Sequence, residues 1–278
     1  MSKFNICLVQ PDNYIHAYAF LELGELIQLS LKELGHDATL EFNKIESGRK
    51  NILIGCHLLD PALIPKLPAS TIILNTEQLY DDTTVWNRNI LNWSRDFGVW
   101  DYSKRNMEKF QELGINHAKH FKIGFQKELV RLSKNANKDV DVLFYGCINE
   151  RRRRVLQSLS EMGLNVKVLF GVYGKERDQW IERSRLVLNH HFYDSQIFEI
   201  VRVFYLLTNS VAVVAEVNES TSIDPIYKEG IFPASYEQIA SSCLELIIKS
   251  PLRIKLQEAA LDTISRHPQK LFTEALLS

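Results

Sequence analysis

The hydrophobic positions of the chain alternate between short apolar runs and longer stretches in which apolar residues recur at every third or fourth position. Short runs predict buried strands, and the longer period predicts helices. The runs in the first half are FNICLVQ (4–10), NILIG (51–55), STIILN (70–75), FGVW (97–100) and AKHFKIG (118–124). A helical pattern follows the first run from Phe20 to Leu34 and stops at Gly35. The alternation predicts parallel βα units.

A second series follows the polar segment QKELVRLSKNANKD (126–139), whose composition is typical of a linker. Its strands are predicted at DVLFYG (141–146), VKVLFG (166–171), RLVLNHHF (185–192) and VAVVAE (211–216), and its helices at 149–163, 174–184, 197–208, 235–249 and 251–266. The predicted fold class is α/β, with two Rossmann-like parallel-sheet domains facing across a cleft. Residues 1–125 form the first domain and 140–278 the second, whose last helices are able to pack back on the first.

Composition narrows the class of protein. Of 278 residues, 45% are hydrophobic and 24% charged, as in a soluble globular protein. Lys and Arg total 33 against 34 Asp and Glu, so no overall field favours nucleic acid, and we expect no nucleic-acid partner. The four cysteines are far apart and lack CxxC spacing, which is typical of free thiols in a reducing compartment. No apolar run approaches the ~18 residues that span a bilayer, and no early signal sequence is evident. We therefore expect a cytoplasmic protein.

Parallel sheets bind ligands at the carboxyl ends of their strands, so polar residues that directly follow a strand carry the most functional weight. In YGCINERRRRVLQSL, Gly146 follows a strand and four arginines occupy the first turns of a helix. The positive end of the helix dipole disfavours cations there unless an anion is bound. A diphosphate held by Asn149, Arg151 and Arg152 would relieve the conflict. The alternative is a solvated basic face paired with Glu150.

A second glycine turn, Gly171 to Gly174 in FGVYGKERDQW, also follows a strand, and Tyr173 lies within it. It has neither the GxGxxG spacing of a dinucleotide site nor the GKS/GKT of a P-loop. The acidic sequence DVD (139–141) precedes its strand and is expected at the wrong edge of the sheet to chelate a metal–nucleotide. We therefore expect no metal and no cofactor.

The stretch IFEIVRVFYLLTNSVAVVAE resembles the nucleotide-sugar domain of two-domain, GT-B-fold glycosyltransferases, especially the bacterial group of CgeB-type proteins. The segments PDNYIHAYAFLELGELIQLSLKELGHD, NTEQL and RSRLVLNHH resemble other parts of the same family. The resemblance implies that Glu199 binds the donor ribose. The retaining members carry a second acid seven positions earlier, where this chain has Phe192, and the nearest acid is Asp194. Retention or inversion is therefore not predicted.

Candidate residues follow from these patterns and from the resemblance. The donor-site candidates are Gly146, Asn149, Arg151, Arg152, Gly171, Tyr173, His190, His191, Glu199, Arg202 and Glu216, and the catalytic candidates are His16, Glu22 and Glu77. Strand geometry would point His190 and His191 to opposite sides, so at most one is expected to face a ligand. Glu199 and Arg202 could form a simple intrahelical pair, and Glu216 could merely cap a loop. His16, Glu22 or Glu77 would accept the acceptor's proton.

The leading hypothesis is a metal-independent glycosyltransferase that moves a sugar from a nucleotide sugar to the hydroxyl of a carbohydrate or glycoconjugate, in surface-polysaccharide or glycoconjugate synthesis. Such an enzyme would work in the cytoplasm, with room for a peripheral contact at the inner face of the membrane. Two alternatives remain open. One is a non-catalytic nucleotide- or nucleotide-sugar-binding protein of the same fold, and the other is a paired α/β scaffold that binds proteins.

Overall fold

The computed structural model describes residues 1–80, 84–133, 137–193 and 196–278. They form two compact units. Unit 1 comprises Met1–Gln126 together with Pro268–Ser278, and unit 2 comprises Lys127–His267. Most of the segment predicted as a linker (126–139) thus belongs to unit 2, and its residues 134–136 lie outside the described residues, as does Asp194.

Unit 1 is built on a six-stranded parallel sheet with the order β2-β1-β3-β4-β5-β6. Its strands are β1 (Lys3–Leu8), β2 (Asp37–Phe42), β3 (Lys50–Ile54), β4 (Ile72–Asn75), β5 (Gly98–Asp101) and β6 (Ala118–His120). Its first three helices are α1 (Leu21–Glu33), α2 (Val85–Asp96) and α3 (Lys104–Glu112). The edge strand β2 was not predicted, because it is only half buried and its polar residues weaken the apolar pattern.

One face of the unit 1 sheet carries a core that contains Cys7, Leu53, Ile73 and Trp93. The connection from β2 to β3, residues 43–49, contains no helix. Short 3-10 helices at Cys56–Leu58 and Pro61–Lys66 follow β3 instead, and their leucines pack against this core. The cover over the β1 end of this face is therefore made of a loop and short turns rather than a long helix.

Unit 2 is built on a five-stranded parallel sheet with the order β11-β10-β9-β7-β8. Its strands are β7 (Val140–Tyr145), β8 (Val166–Leu169), β9 (Ser184–Asn189), β10 (Val213–Glu216) and β11 (Phe232–Ala234). Its helices are α4 (Glu150–Glu161), α5 (Gly174–Arg183), α6 (Ile200–Thr208), α7 (Ile239–Ile248) and α8 (Ser250–Ser265). Because β9 lies between β7 and β10, the residues that follow these three strands are neighbours at one edge.

The C-terminal helix α9 (Gln269–Leu277) packs on α1 and so belongs to unit 1. Gln269 is fully buried, and its amide oxygen accepts a hydrogen bond of 2.6 Å from the backbone N–H of Gly124. The hydroxyl of Thr273 lies 2.8 Å from that of Ser30 in α1. The sequence had assigned all of 140–278 to the second domain while leaving its last helices able to pack back on the first.

Candidate functional site

The carboxyl edge of the unit 2 sheet brings together three groups that are far apart in sequence. Gly146 follows β7, His190 and His191 follow β9, and Glu216 is the last residue of β10. Both histidines and Glu216 are almost completely buried. Their proximity is a consequence of the strand order, which places β9 between β7 and β10.

Glu216 is held by two basic groups. The guanidinium of Arg151, in the first turn of α4, donates to both carboxylate oxygens, with 2.6 Å between Nη1 and Oε2. The backbone N–H of His191 also donates to Oε2, at 3.1 Å. Burial raises the pKa of Glu216, but the hydrogen bonds from Arg151 and His190 outweigh it and hold the pKa well below its ordinary value. Glu216 is therefore ionised near pH 7 and fixes the positions of Arg151 and His190 at this edge.

The imidazole of His190 is oriented by the same carboxylate. Its Nδ1 lies 2.6 Å from Oε2 of Glu216 and 3.0 Å from Nη1 of Arg151, and we assign the proton to Nδ1 because the shorter contact is to a carboxylate, which only accepts. Burial lowers the pKa of His190, so the ring is neutral near pH 7 and Nε2 is unprotonated. That Nε2 is buried and has no hydrogen-bond partner among the described residues. Nε2 is therefore a hydrogen-bond acceptor whose orientation is fixed by the contact of Nδ1 with Glu216, and it can accept a hydrogen bond from a ligand.

A second carboxylate forms a separate pair with His191. Glu199 precedes α6, and its side chain accepts from Asn189 Nδ2 at 2.8 Å and from His191 Nδ1 at 3.1 Å. On the other side of the ring, His191 Nε2 lies 3.3 Å from the hydroxyl of Thr221. Burial raises the pKa of Glu199, but His191 and Arg202 together hold it below its ordinary value. The two neighbouring histidines are thus oriented by two different glutamates.

The four arginines of α4 divide into two pairs. Arg153 and Arg154 are exposed and bind Glu150, so for them the solvated-face interpretation holds. Arg151 binds Glu216 and stacks on Tyr236, 4.1 Å from the ring centroid.

Arg152 is 2% exposed and is tied to the backbone. Its guanidinium donates to the carbonyls of Cys147 and His190, and its backbone N–H is capped by Asn149 Oδ1 at 2.9 Å. Burial and the charge of Arg202 lower the pKa of Arg152 to about 10, so it stays charged near pH 7. Its position makes it a structural cation of the edge.

Arg202, in α6, reaches the end of β7 from the other side. A Cβ at Gly146 would lie 2.9 Å from Arg202 Nη2, the movable end of a side chain, whereas the φ of Gly146, +135°, is what requires glycine there. Arg202 Nη1 is buried without a partner among the described residues. Arg202 and Glu199 are not joined by an ion pair in the described chain, so the simple intrahelical pair does not form. The backbone N–H of Gly146 is already donated to Leu169.

Some buried polar atoms at this edge have no hydrogen-bond partner in the described part of the chain. Within the described ranges they include Arg152 Nε, Asn189 Oδ1, His190 Nε2 and Arg202 Nη1. Buried polar atoms in folded proteins are usually hydrogen-bonded, because leaving one unpaired costs roughly 1–3 kcal/mol. Several such atoms beside one glycine indicate a polar ligand site. Gly171, with φ +69°, begins the adjacent turn after β8, and Tyr173 precedes the first residue of α5 there.

The carboxyl edge of the unit 1 sheet has a different character. Glu77 follows β4, and its backbone is held by Asn75 and Asn106, which also bind the fully buried Asp101. The Glu77 carboxylate lies 3.8 Å from Nε2 of His57, a buried residue that follows β3. Burial raises the pKa of Glu77 to about 7 and lowers that of His57 to about 4.

The other two catalytic candidates lie after β1. His16 is partly buried in a 3-10 helix (Ile15–Phe20), with its ring edge-on to Tyr14. Glu22 is in the first turn of α1 and is 5% exposed. In the sheet, β3 separates β1 from β4, so these residues and Glu77 lie on different strands of one edge. His57 was not identified from sequence, although it follows the predicted strand NILIG as Glu77 follows its own. Asn189 and Thr221 were also missed.

Among the described residues, no group of three or more His, Cys, Asp or Glu side chains is placed to hold a metal ion. Asp139 and Asp141 lie at the amino end of β7 and pair with Arg183 and Arg185. The described helices include none that is both long and apolar enough to cross a membrane.

No family model matches the chain. Its relatives include uncharacterized protein L137 of Acanthamoeba polyphaga mimivirus, 27% identical over 250 residues, which are 84% of this chain and 32% of L137. Uncharacterized protein R358 of the same virus is 30% identical over 159 residues, or 55% of this chain and 54% of R358. The chain thus spans only about a third to a half of the length of these two relatives.

Similar solved structures are glycosyltransferases. HepE from Anabaena in complex with UDP and glucose gives a TM-score of 0.64 at 11% identity, over 100% of this chain and 98% of HepE. WaaG, involved in lipopolysaccharide biosynthesis, gives 0.60 at 11% identity, over 98% of each chain. A DNA-modifying β-glucosyltransferase gives 0.56 at 12% identity, over 99% of this chain and 98% of that enzyme. The two parallel sheets therefore have the GT-B glycosyltransferase fold, which confirms the predicted fold class.

Proposed function

We propose that the chain is a glycosyltransferase whose unit 2 binds a nucleotide sugar and whose unit 1 supplies the groups that receive the acceptor. The observation that carries this proposal is the set of unpartnered buried polar atoms around Gly146, on Arg152, Asn189, His190 and Arg202. The set combines guanidinium donors, suited to phosphate, with an amide oxygen and an imidazole acceptor, suited to sugar hydroxyls. HepE, a protein of similar fold, binds UDP and UDP-glucose.

In sugar transfer, the bond between the anomeric carbon and the diphosphate breaks, and negative charge develops on the departing phosphate. A fixed cation at that oxygen lowers the barrier. Arg202 is suited to this role, since its guanidinium has a buried N–H without a partner beside a glycine that admits close approach. Arg151 is less suited, because Glu216 already neutralises it. Glu199 would accept the ribose hydroxyls, as the family resemblance implies.

On the acceptor side, Glu77 is our preferred proton acceptor among His16, Glu22 and Glu77. Its pKa of about 7 matches the work of a general base near neutral pH. The family resemblance implies an acceptor hydroxyl on a carbohydrate or glycoconjugate, in surface-polysaccharide or glycoconjugate synthesis. The membership in the CgeB-type group stays a prediction.

The test is UDP binding by calorimetry to the wild type, Arg202→Gln and the control Arg154→Gln, which removes an exposed arginine paired with Glu150. We expect Arg202→Gln to weaken binding by about tenfold to a hundredfold, since a hydrogen bond to a charged group is worth ~1.5–3 kcal/mol. Arg154→Gln should bind like the wild type. If no nucleotide from a panel that includes UDP binds the wild type, the proposal is wrong.

Turnover separates a transferase from a non-catalytic nucleotide-binding protein of the same fold. We expect nucleotide release from a nucleotide sugar when acceptors are added, and we expect it to survive EDTA, because basic side chains do the work of a metal. Activity that EDTA abolishes and manganese or magnesium restores would contradict metal independence. Nucleotide binding without turnover on any acceptor would favour the non-catalytic alternative.

A further inference from the structure

Unit 1 contains an apolar cavity of about 460 Å³ at the carboxyl end of β1 and β3. Its walls include Cys7 and Leu53 from the sheet, Trp93 from α2, and Leu58 and Leu63 from the 3-10 helices after β3. Small-molecule sites in proteins are typically mostly apolar cavities of about 300–1,000 Å³. The cavity therefore has the size and lining of a binding site for a compact organic molecule.

The cavity has a physical origin in the connections of the sheet. The β2–β3 connection has no helix, so a loop that contributes Asn43 and Ile45 lines this part of the sheet face. On the opposite side, the 3-10 helix Pro61–Lys66 contributes Leu63 and Lys66. A long helix over the same strands would fill the space with side chains. In this protein the space is not filled by side chains and has room for a bound molecule.

The rim argues against a negatively charged occupant. Asp12, Asp60 and Lys66 border the cavity, so its charged groups sum to one net negative charge. Asp60 accepts a hydrogen bond from the backbone of Ala62 at 2.9 Å, and none of the three takes part in an ion pair within the described residues. A fatty acid or lipid phosphate would meet more acid than base. A neutral molecule with hydroxyl groups would instead donate to Asp12.

The cavity adjoins the proton-accepting edge of unit 1. Leu58 lines the cavity, and the preceding residue, His57, faces the Glu77 carboxylate at 3.8 Å. We propose that this cavity binds the apolar ring system of a neutral, hydroxyl-bearing acceptor, such as an aryl or alicyclic alcohol or its glycoside. The acceptor role rests on the proposed function, whereas the binding does not. In the transfer, the bond from the anomeric carbon to the diphosphate breaks, a bond to the acceptor oxygen forms, and the hydroxyl proton passes to a carboxylate or to water.

The experiment uses 1-naphthol, a neutral aromatic alcohol, titrated into the full chain by calorimetry. We expect saturable binding of one molecule. Leu63→Trp should weaken it by about tenfold or more, because the indole would occupy the volume the probe needs. Leu113→Trp is the matched control, since Leu113 is a partly buried residue packed on the same core but away from the cavity. Equal naphthol binding by both variants, or none by the wild type, would overturn the proposal.

Two further arms separate this proposal from the proposed function. Naphthalene-1-sulfonate should bind more weakly than 1-naphthol, and tighter binding of the anion would overturn the neutral occupant. With a nucleotide sugar that the chain binds, 1-naphthol should accelerate nucleotide release in the wild type and in Leu113→Trp but not in Leu63→Trp. Naphthol binding without acceleration would overturn the acceptor role. Nucleotide binding without naphthol binding would leave the donor site standing and remove only the cavity's role.

Discussion

Glu216 in unit 2 and Glu77 in unit 1 occupy equivalent places, each at the carboxyl end of a parallel strand, yet their surroundings oppose each other. Arg151 and His190 donate to Glu216, and its pKa is well below the ordinary value. Glu77 has no cation within hydrogen-bonding distance in the described chain, and burial raises its pKa to about 7. Burial is common to both glutamates, so the basic partners decide the outcome.

The difference suits two kinds of chemistry. The unit 2 edge carries the guanidinium of Arg151, balanced by Glu216, and that of Arg202, whose buried Nη1 has no partner among the described residues, so under the proposed function it would suit an anionic leaving group. The unit 1 edge holds carboxyl groups whose protonation changes near neutral pH, so it is suited to moving a proton. Asp101 is a second such carboxyl group. Burial raises its pKa to about 7, although hydrogen bonds from Asn75, Ser103 and Asn106 act to lower it.

The two edges should also respond to pH with opposite signs. Because the pKa of Glu216 is lowered, its contribution to the free energy of unfolding is present above about pH 4.5 and is lost as pH falls through the lowered pKa. Because the pKa of Glu77 is raised, the folded state keeps the proton that the unfolded state loses between about pH 4.5 and 7, and stability falls as pH rises. His57 has the opposite effect on the free energy of unfolding in this pH range. Because its pKa is lowered, the unfolded chain takes up a proton that the folded chain does not, and stability falls as pH decreases from 6.5 to about 4.

The largest effect is expected from Arg151→Met. The variant leaves the buried Glu216 without its guanidinium, and breaking a buried ion pair costs about 3–5 kcal/mol. We expect a loss near the lower bound, about 3 kcal/mol at pH 7, because the Arg151 side chain is 31% exposed. Urea denaturation followed by circular dichroism measures it.

The control for this prediction is Arg153→Met on the same helix. Arg153 pairs with Glu150 on the surface, so its loss should change the free energy of unfolding by less than about 1 kcal/mol. The gap between the two variants should narrow as pH falls below about 4.5, because the unfolded chain then takes up a proton at Glu216 that the pairing with Arg151 keeps off in the folded state. Equal destabilisation by both variants at pH 7 would show that Glu216 is not held in the way described.

The next largest effect is a gain of stability from Glu77→Gln. The substitution removes a carboxyl group that is costly to ionise, so at about pH 8 the variant should be more stable than the wild type by roughly 2–3 kcal/mol. At about pH 4, where Glu77 is protonated, the two should be nearly equal. Tryptophan fluorescence during urea unfolding reports mainly on unit 1, which contains Trp86, Trp93 and Trp100.

If Glu77 is the proton acceptor, the same variant should lose sugar transfer while keeping nucleotide binding. A control is Glu112→Gln, an exposed residue at the end of α3, which should change neither stability nor turnover. Full turnover by Glu77→Gln would return the choice of base to His16 and Glu22. A variant no more stable than the wild type at high pH would show that Glu77 is ionised at little cost.

The positions of strand ends were predictable, because apolar runs end where polar residues begin. Gly146, His190, Glu77 and Glu216 were found in this way, and the fold class followed from the alternation of runs and helical stretches. The strands β2 and β11 were missed, since both are edge strands and only partly buried. Helix α9 was missed because its partners, Ser30 and Gly124, are far away in sequence.

What each polar residue does could not be predicted, because it depends on which strands are neighbours. The pairing of Arg151 with Glu216 needs β10 beside β9 and β9 beside β7, an order that periodicity does not reveal. For the same reason, the sequence could single out Arg151 and Arg152 as ligand candidates but could not show that Glu216 and two backbone carbonyls would bind them. His57 obeys the rule that identified Glu77 and could have been found with it.

The smallest effect is expected from a change at Glu199. It tests whether, at the carboxyl edge of the unit 2 sheet, Glu216 has a structural role while Glu199 binds the ligand. Glu199 shares its two oxygens with Asn189 and His191, and each oxygen has capacity for one more hydrogen bond. A ribose offers two adjacent hydroxyls to match. Glutamine keeps the size but replaces one acceptor with a donor, so Glu199→Gln should weaken nucleotide binding by about 1–3 kcal/mol in calorimetry. Glu150→Gln, an exposed change in the same unit, should not. If Glu199→Gln binds nucleotide as tightly as the wild type, the ribose role implied by the family resemblance is wrong, and Glu199 serves, like Glu216, to orient a histidine.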